Sequence, residues 1–123
     1  MRVEVAANPV VRSENSARAV EEATGAAMRG TSTERERISA LRSLHGVEWP
    51  TASVFLHLAY PERYPILDWR ALHALGVTQP SAYSFRFWEA YVAAWLPLVE
   101  QSGADGRTFD QALWQWSKEQ RVA

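Results

Sequence analysis

The sequence predicts an all-α fold. Apolar residues recur at three- and four-residue spacing along most of the chain, helix-capping signatures open several of those segments, and no alternating pattern is long enough for a strand. A length of 123 residues suits a single helical domain over 1–123. An apolar content of 47%, with six Trp, four Tyr and four Phe, supplies bulky side chains for a buried core.

The elements follow in order. Residues 1–12 hold Pro9 and show no helical period, so they read as an extended arm. A first helix is expected over 14–29, with Ala19, Ala23, Ala26 and Ala27 at helical spacing and Gly30 as its stop. Gly25 weakens it by about 1 kcal/mol relative to Ala. Thr33 and Glu36 form a capping-box pattern for a second helix over 33–44, whose inner face is Ile38, Leu41 and Leu44. A third helix is expected over 50–59. Pro50 stands at its first position, where a missing N–H costs nothing. Its buried face reads as Ala52, Phe55, Leu56 and Ala59, flanked by Val54 and Leu58.

Pro61 and Pro65 bracket a break, and Ile66-Leu67 forms a short apolar stub. Asp68 precedes a fourth helix over 68–75, stopped by Gly76. Ser84 is the natural N-cap of a fifth, over 84–101, burying Trp88, Tyr91, Val92, Trp95 and Val99. Pro97 is expected to kink or shorten it. Thr108 and Gln111 suggest a second capping box for a last helix over 108–119, with Phe109, Leu113 and Trp116 inward.

Composition excludes several functions. Without cysteine, the chain forms no disulfide, thiolate metal site or cysteine-held iron–sulfur cluster. His45, His57 and His73 do not form a metal-binding pattern, and no metal ligands or cofactor are expected. His57 sits among apolar neighbours and reads as a core residue. Residues 1–7 lack a signal-peptide pattern, and no apolar run reaches membrane-spanning length, so the expectation is a cytoplasmic protein with no membrane partner. A net charge of −1 argues against non-specific nucleic-acid binding as the main task. Positive charge is concentrated mid-chain: seven Arg against five acids lie between Arg29 and Arg86, and three bases against five acids follow.

The stretch Leu44-His45-Gly46-Val47-Glu48 joins two helices by a tight turn, a helix-hairpin-helix. Such a turn presents backbone N–H groups at a helix N-terminus, where the dipole favours a phosphate oxygen. Gly46 permits the turn and Val47 anchors it.

The pattern Leu44-x-Gly46-Val47-x-x-x-Thr51-Ala52 resembles the hairpin of the helix-hairpin-helix DNA glycosylases, the superfamily that includes endonuclease III. Pro65-Ile66-Leu67-Asp68-Trp69-Arg70 resembles the apolar stub, catalytic aspartate and following helix of that family, and Asp68 stands eighteen residues beyond Pro50, as the family spacing requires. Phe87-Trp88-x-x-Tyr91 resembles its next aromatic helix. The likeness covers 33–101. It implies DNA as partner, Asp68 as the catalytic group that stabilises positive charge on the sugar as the base leaves, and DNA contacts from Gly46, Val47, Glu48, Trp49, Thr51 and Arg70. The family's second hairpin glycine is Glu48 here. Its lysine position is Pro50, so the implied activity is monofunctional base release. The chain is short for the family.

Each residue also has a structural reading. Asp68 can simply N-cap the following helix, a role worth about 1 kcal/mol and compatible with catalysis. Glu48 complements a helix dipole. Arg70 can form a surface ion pair or meet a phosphate. Trp49 and Trp69 can stack on an extruded base or fill a core. The alternative function is an inactive glycosylase-like module that binds proteins. A protein partner or a second copy forming a homo-oligomer would cover exposed Trp and Tyr.

Overall fold

The computed structural model describes residues 15–120, and the expected arm over 1–12 lies outside them. The described residues form six α-helices and no strand: α1 (Ala17–Met28), α2 (Glu34–Arg42), α3 (Trp49–Ala59), α4 (Trp69–Ala74), α5 (Phe85–Ser102) and α6 (Gly106–Gln120). No helix among them is long and apolar enough to cross a membrane. The chain divides into two compact units, with the boundary between Ala52 and Ser53, inside α3.

In the first unit α1 packs against α2. Ser16 caps α1, accepting from the Ala19 amide at 3.0 Å. The expected capping box opens α2: Thr33 Oγ1 accepts from Glu36 N at 3.1 Å, and Glu36 Oε1 accepts from Thr33 N at 2.7 Å. Ala23, Ala27, Ile38, Leu41 and Leu44 are buried, as the helical spacing predicts. No basic residue lies in the last turn of α1. Buried Arg37 on α2 supplies that charge, donating from Nη1 to the Ala27 carbonyl at 2.7 Å.

In the second unit α6 packs against α4 and more lightly against α5. Tyr64, Leu67, Leu72, Trp88 and Trp95 form a buried aromatic and aliphatic core, with the Tyr64 and Trp88 rings stacked 6.2 Å apart. Ser84 caps α5 through the Phe87 amide, and Gly103 closes it in the left-handed region at φ 75°. Pro97 does not shorten α5, which runs 18 residues to Ser102. The ring is exposed, so its one missing amide bond falls on the solvent side.

Four local expectations are corrected. Helix α3 begins at Trp49, which makes Pro50 its second residue. Its buried face is Trp49, Ala52, Ser53, Leu56 and His57, whereas Leu58 is 59% exposed and Ala59 is exposed too. Helix α6 begins at Gly106. Its cap is Asp105, which accepts from Thr108 N at 2.7 Å, so Thr108 lies inside the first turn and cannot cap it. The buried face of α6 is Gly106, Asp110 and Ser117, while Phe109 and Leu113 are half-buried and Trp116 is exposed. In α6 small and hydrogen-bonding residues face inward instead of the largest apolar ones, and in α3 Ser53 and His57 join Trp49 and Leu56 inside.

Candidate ligand cavity beside Asp68

The segment between α3 and α4 is irregular, so its backbone groups need partners from side chains. Four of them find one. The Tyr64 carbonyl lies 2.7 Å from His57 Nδ1, and the Leu67 amide donates to Ser53 Oγ at 2.8 Å. The Ile66 amide donates to Asp110 Oδ1 at 3.4 Å, and the Ile66 carbonyl accepts from the Tyr91 hydroxyl at 3.4 Å. Ser53 and His57 stand one turn apart on α3. Helix α6 is held to the same segment by a further bond, from Gly106 N to Glu62 Oε2 at 2.8 Å. Three helices thereby fix the residues that lead into Asp68.

Asp68 is half-buried and has extended backbone geometry, as an N-cap requires. Its Oδ1 accepts from the Ala71 amide at 2.8 Å. The structural role read from the sequence is therefore present. Asp68 also lines a cavity of about 470 Å³, within the range of small-molecule sites. Val54 and His57 line it from α3, and Ile66 from the connecting segment. Arg107, Asp110, Gln111 and Trp114 line it from α6.

The open cleft combines apolar walls from Val54, Ile66 and Trp114 with several polar side chains. A carbonyl only accepts, so His57 Nδ1 carries the proton shared with Tyr64. His57 Nε2 is buried and has no protein partner. Burial pushes the Asp110 carboxyl up to about 6, against the pull of His57, the Ile66 amide and Arg107; the Asp68 charge adds to the rise. Burial, first, and the charges of Asp110 and Asp68, second, raise the Tyr91 phenol well above its ordinary range. Two carboxylates, an imidazole and an indole thus border one space. Among the described residues, no cluster of three or more His, Cys, Asp or Glu is arranged to hold a metal ion.

The hairpin residues lie in the first unit. Gly46 has φ 83°, the left-handed conformation for which glycine is suited, and Val47 is buried. The turn is already bound to protein at two amides: His45 N donates to Asn15 Oδ1 at 2.8 Å, and Val47 N donates to the Leu44 carbonyl at 3.1 Å. Asn15 Nδ2 returns a bond to the His45 carbonyl at 2.9 Å. The Glu48 side chain is 77% exposed, 3.7 Å from Arg42 Nη2. The Arg42 guanidinium lies 4.3 Å from the ring centre of buried Trp49. Thr51 is half-buried on α3.

Gly46, Val47, Glu48, Trp49 and Thr51 therefore share one unit, and Asp68 and Arg70 belong to the other. Trp49 is a core residue, whereas Trp69 is exposed. Arg70 makes no ion pair with a carboxylate among the described residues and lies against indole rings instead. Sequence reading did not identify Asp110 as part of the site. Its signal is the spacing of Gly106, Asp110 and Ser117, which places small and polar residues along one helical face. Comparison with family models, with curated proteins and with solved structures finds no match for this chain.

Proposed function

We propose that this chain is a DNA-binding protein of the base-excision glycosylase type, and that the cavity beside Asp68 receives an extruded base. The supporting observation is that Asp68, the aspartate of the resembling motif, caps α4 with one oxygen and borders an open cleft of about 470 Å³. Cleavage of the bond between base and sugar leaves positive charge on the sugar. A carboxylate held in place by Ala71 N–H is preorganised to stabilise that charge. Trp114 offers an indole face for the base, and Asp110 and Gln111 offer hydrogen-bonding groups. Pro50 occupies the lysine position of the motif, and Lys118 is the only lysine in the sequence. Base release is accordingly monofunctional, with no lysine imine on α3.

The hairpin favours a second reading, an inactive module that binds protein. Glu48 presents a carboxylate where the resembling hairpins have glycine, and Asn15 occupies an amide of the turn. Binding to a duplex carrying an abasic-site analogue, measured at two salt concentrations, separates the two. The glycosylase reading predicts binding that weakens as salt rises. No binding at either salt favours the protein-interaction module.

A further inference from the structure

Arg70 and Lys118 have no carboxylate partner among the described residues, unlike Arg18, paired with Glu22, and Arg42, beside Glu48. Their charges rest on aromatic faces. The Arg70 guanidinium lies 4.4 Å from the ring centre of Trp69 and 5.1 Å from that of Trp114. Lys118 Nζ lies 5.3 Å from the Trp114 ring. Arg70 Nη1 is buried without a hydrogen-bond partner. The same α4–α6 face continues through His73, whose ring is stacked 6.4 Å from Trp69 and lies 5.5 Å from Trp116. His73 Nδ1 is fixed 2.7 Å from Ser117 Oγ.

Trp88 and Trp95 are buried in the core of this unit, but Trp69, Trp114 and Trp116 remain 52%, 40% and 47% exposed. A surface of three exposed indoles, linked through Arg70 and His73 and carrying cations without anions among the described residues, matches a chain of planar bases linked by phosphates. We infer that this face binds the unpaired bases of a single-stranded nucleic acid. Trp114 also lines the Asp68 cavity, so a strand stacked on this face is led to the cavity mouth. The inference rests on the proposed DNA-binding function and specifies the form of nucleic acid that the second unit grips. A second copy would bring two more cations and no carboxylate to neutralise them, whereas a phosphate-linked strand supplies the anions, which favours the strand as the occupant.

The test is a titration of the whole chain with a fluorescein-labelled oligothymidine, alongside the abasic-analogue duplex and sedimentation of the protein alone. The expected result is salt-sensitive binding of the single strand. Trp69→Ala and Trp116→Ala should each weaken it about fivefold or more. Lys118→Gln should weaken it and lower the salt slope by about one. These side chains are exposed, and unchanged thermal melting confirms that the variants fold. Duplex binding without single-strand binding overturns this inference and leaves the proposed function standing. Single-strand affinity unchanged in all three variants overturns it as well, as does self-association that Trp116→Ala abolishes. Binding of neither nucleic acid overturns both this inference and the proposed function.

Discussion

The Ser53 hydroxyl accepts the Leu67 amide proton at 2.8 Å, a buried bond between α3 and the residue that immediately precedes Asp68. Together with the His57–Tyr64 bond one turn further along α3, it holds the aspartate's backbone from a rigid helix rather than from a loop. Ser53→Ala leaves the Leu67 N–H buried and unpaired. The expected cost is about 1–3 kcal/mol of stability, read from the midpoint of urea unfolding. A variant within experimental error of the parent would show that this bond does not hold the segment.

Asp110 gives the fold a pH dependence of defined sign. Its folded-state pKa, about 6, lies above the ordinary 3.8 because the carboxyl is buried. The folded state then binds the proton more tightly than the unfolded chain does. The resulting stability is fully present below about 3.8 and is lost as pH rises through about 6. Asn keeps an oxygen for the Ile66 amide and carries no charge. Asp110→Asn should therefore gain stability over the parent above about pH 6, by up to about 3 kcal/mol, and match it near pH 4. Urea unfolding at the two pH values measures this, and a variant less stable than the parent at pH 7 contradicts it.

Gly106 is the buried first residue of α6, and a Cβ there would overlap the Pro61 carbonyl oxygen and press on the Trp95 ring. Both obstacles lie in well-packed surroundings, and one is backbone. Gly106→Ala should destabilise by about 1–3 kcal/mol, although Ala is the better helix former. An increase in melting temperature would contradict the close approach of α6 to Pro61.

The hairpin provides a pair of opposed expectations. Gly46→Val places a β-branched residue at φ 83°, so it should cost stability and weaken DNA binding if the turn meets a phosphate. Glu48→Gly removes an exposed carboxylate and should strengthen binding. The Arg42 contact that it breaks is long, at 3.7 Å, and its Glu48 end is exposed, so it contributes little to stability. If DNA binds and Glu48→Gly leaves its affinity unchanged, no phosphate sits at this turn.

Several elements were legible because their physics is local. Thr33 and Glu36 satisfy amides within one turn, and the structure has that capping box. Ile38, Leu41 and Leu44 follow the helical period and are buried. Ser84 and Asp68 cap the helices they precede. The inner face of α3 was legible in part, since Ala52, Leu56 and His57 are buried as read, but the polar inner residues Ser53, Asp110 and Ser117 were not found by the same means. Hydrophobic spacing selects Phe55 and Trp116, but Ser53, Asp110 and Ser117 turn inward because they bond to groups 14, 44 and 44 residues away. The spacing of Gly106, Asp110 and Ser117 marks one helical face, but nothing in the sequence names partners so distant. The cavity was illegible for the same reason. Its wall at Asp110 comes from a helix whose face apolar spacing misassigns, although Asp68 could be read from its motif.

The central claim, that Asp68 serves base release, is tested most directly by assaying free base from a panel of damaged and mismatched duplexes with the parent and with Asp68→Asn. Asn still caps a helix, so the melting temperature should barely move. Loss of one charge-stabilising group at the transition state is often worth about 3–4 kcal/mol, or roughly a hundred- to a thousandfold in rate. The expected result is release of at least one base by the parent, a fall of that order in Asp68→Asn, and no adduct trapped by borohydride at α3. A folded parent that releases no base from any duplex, or a variant that releases it at the parental rate, contradicts it.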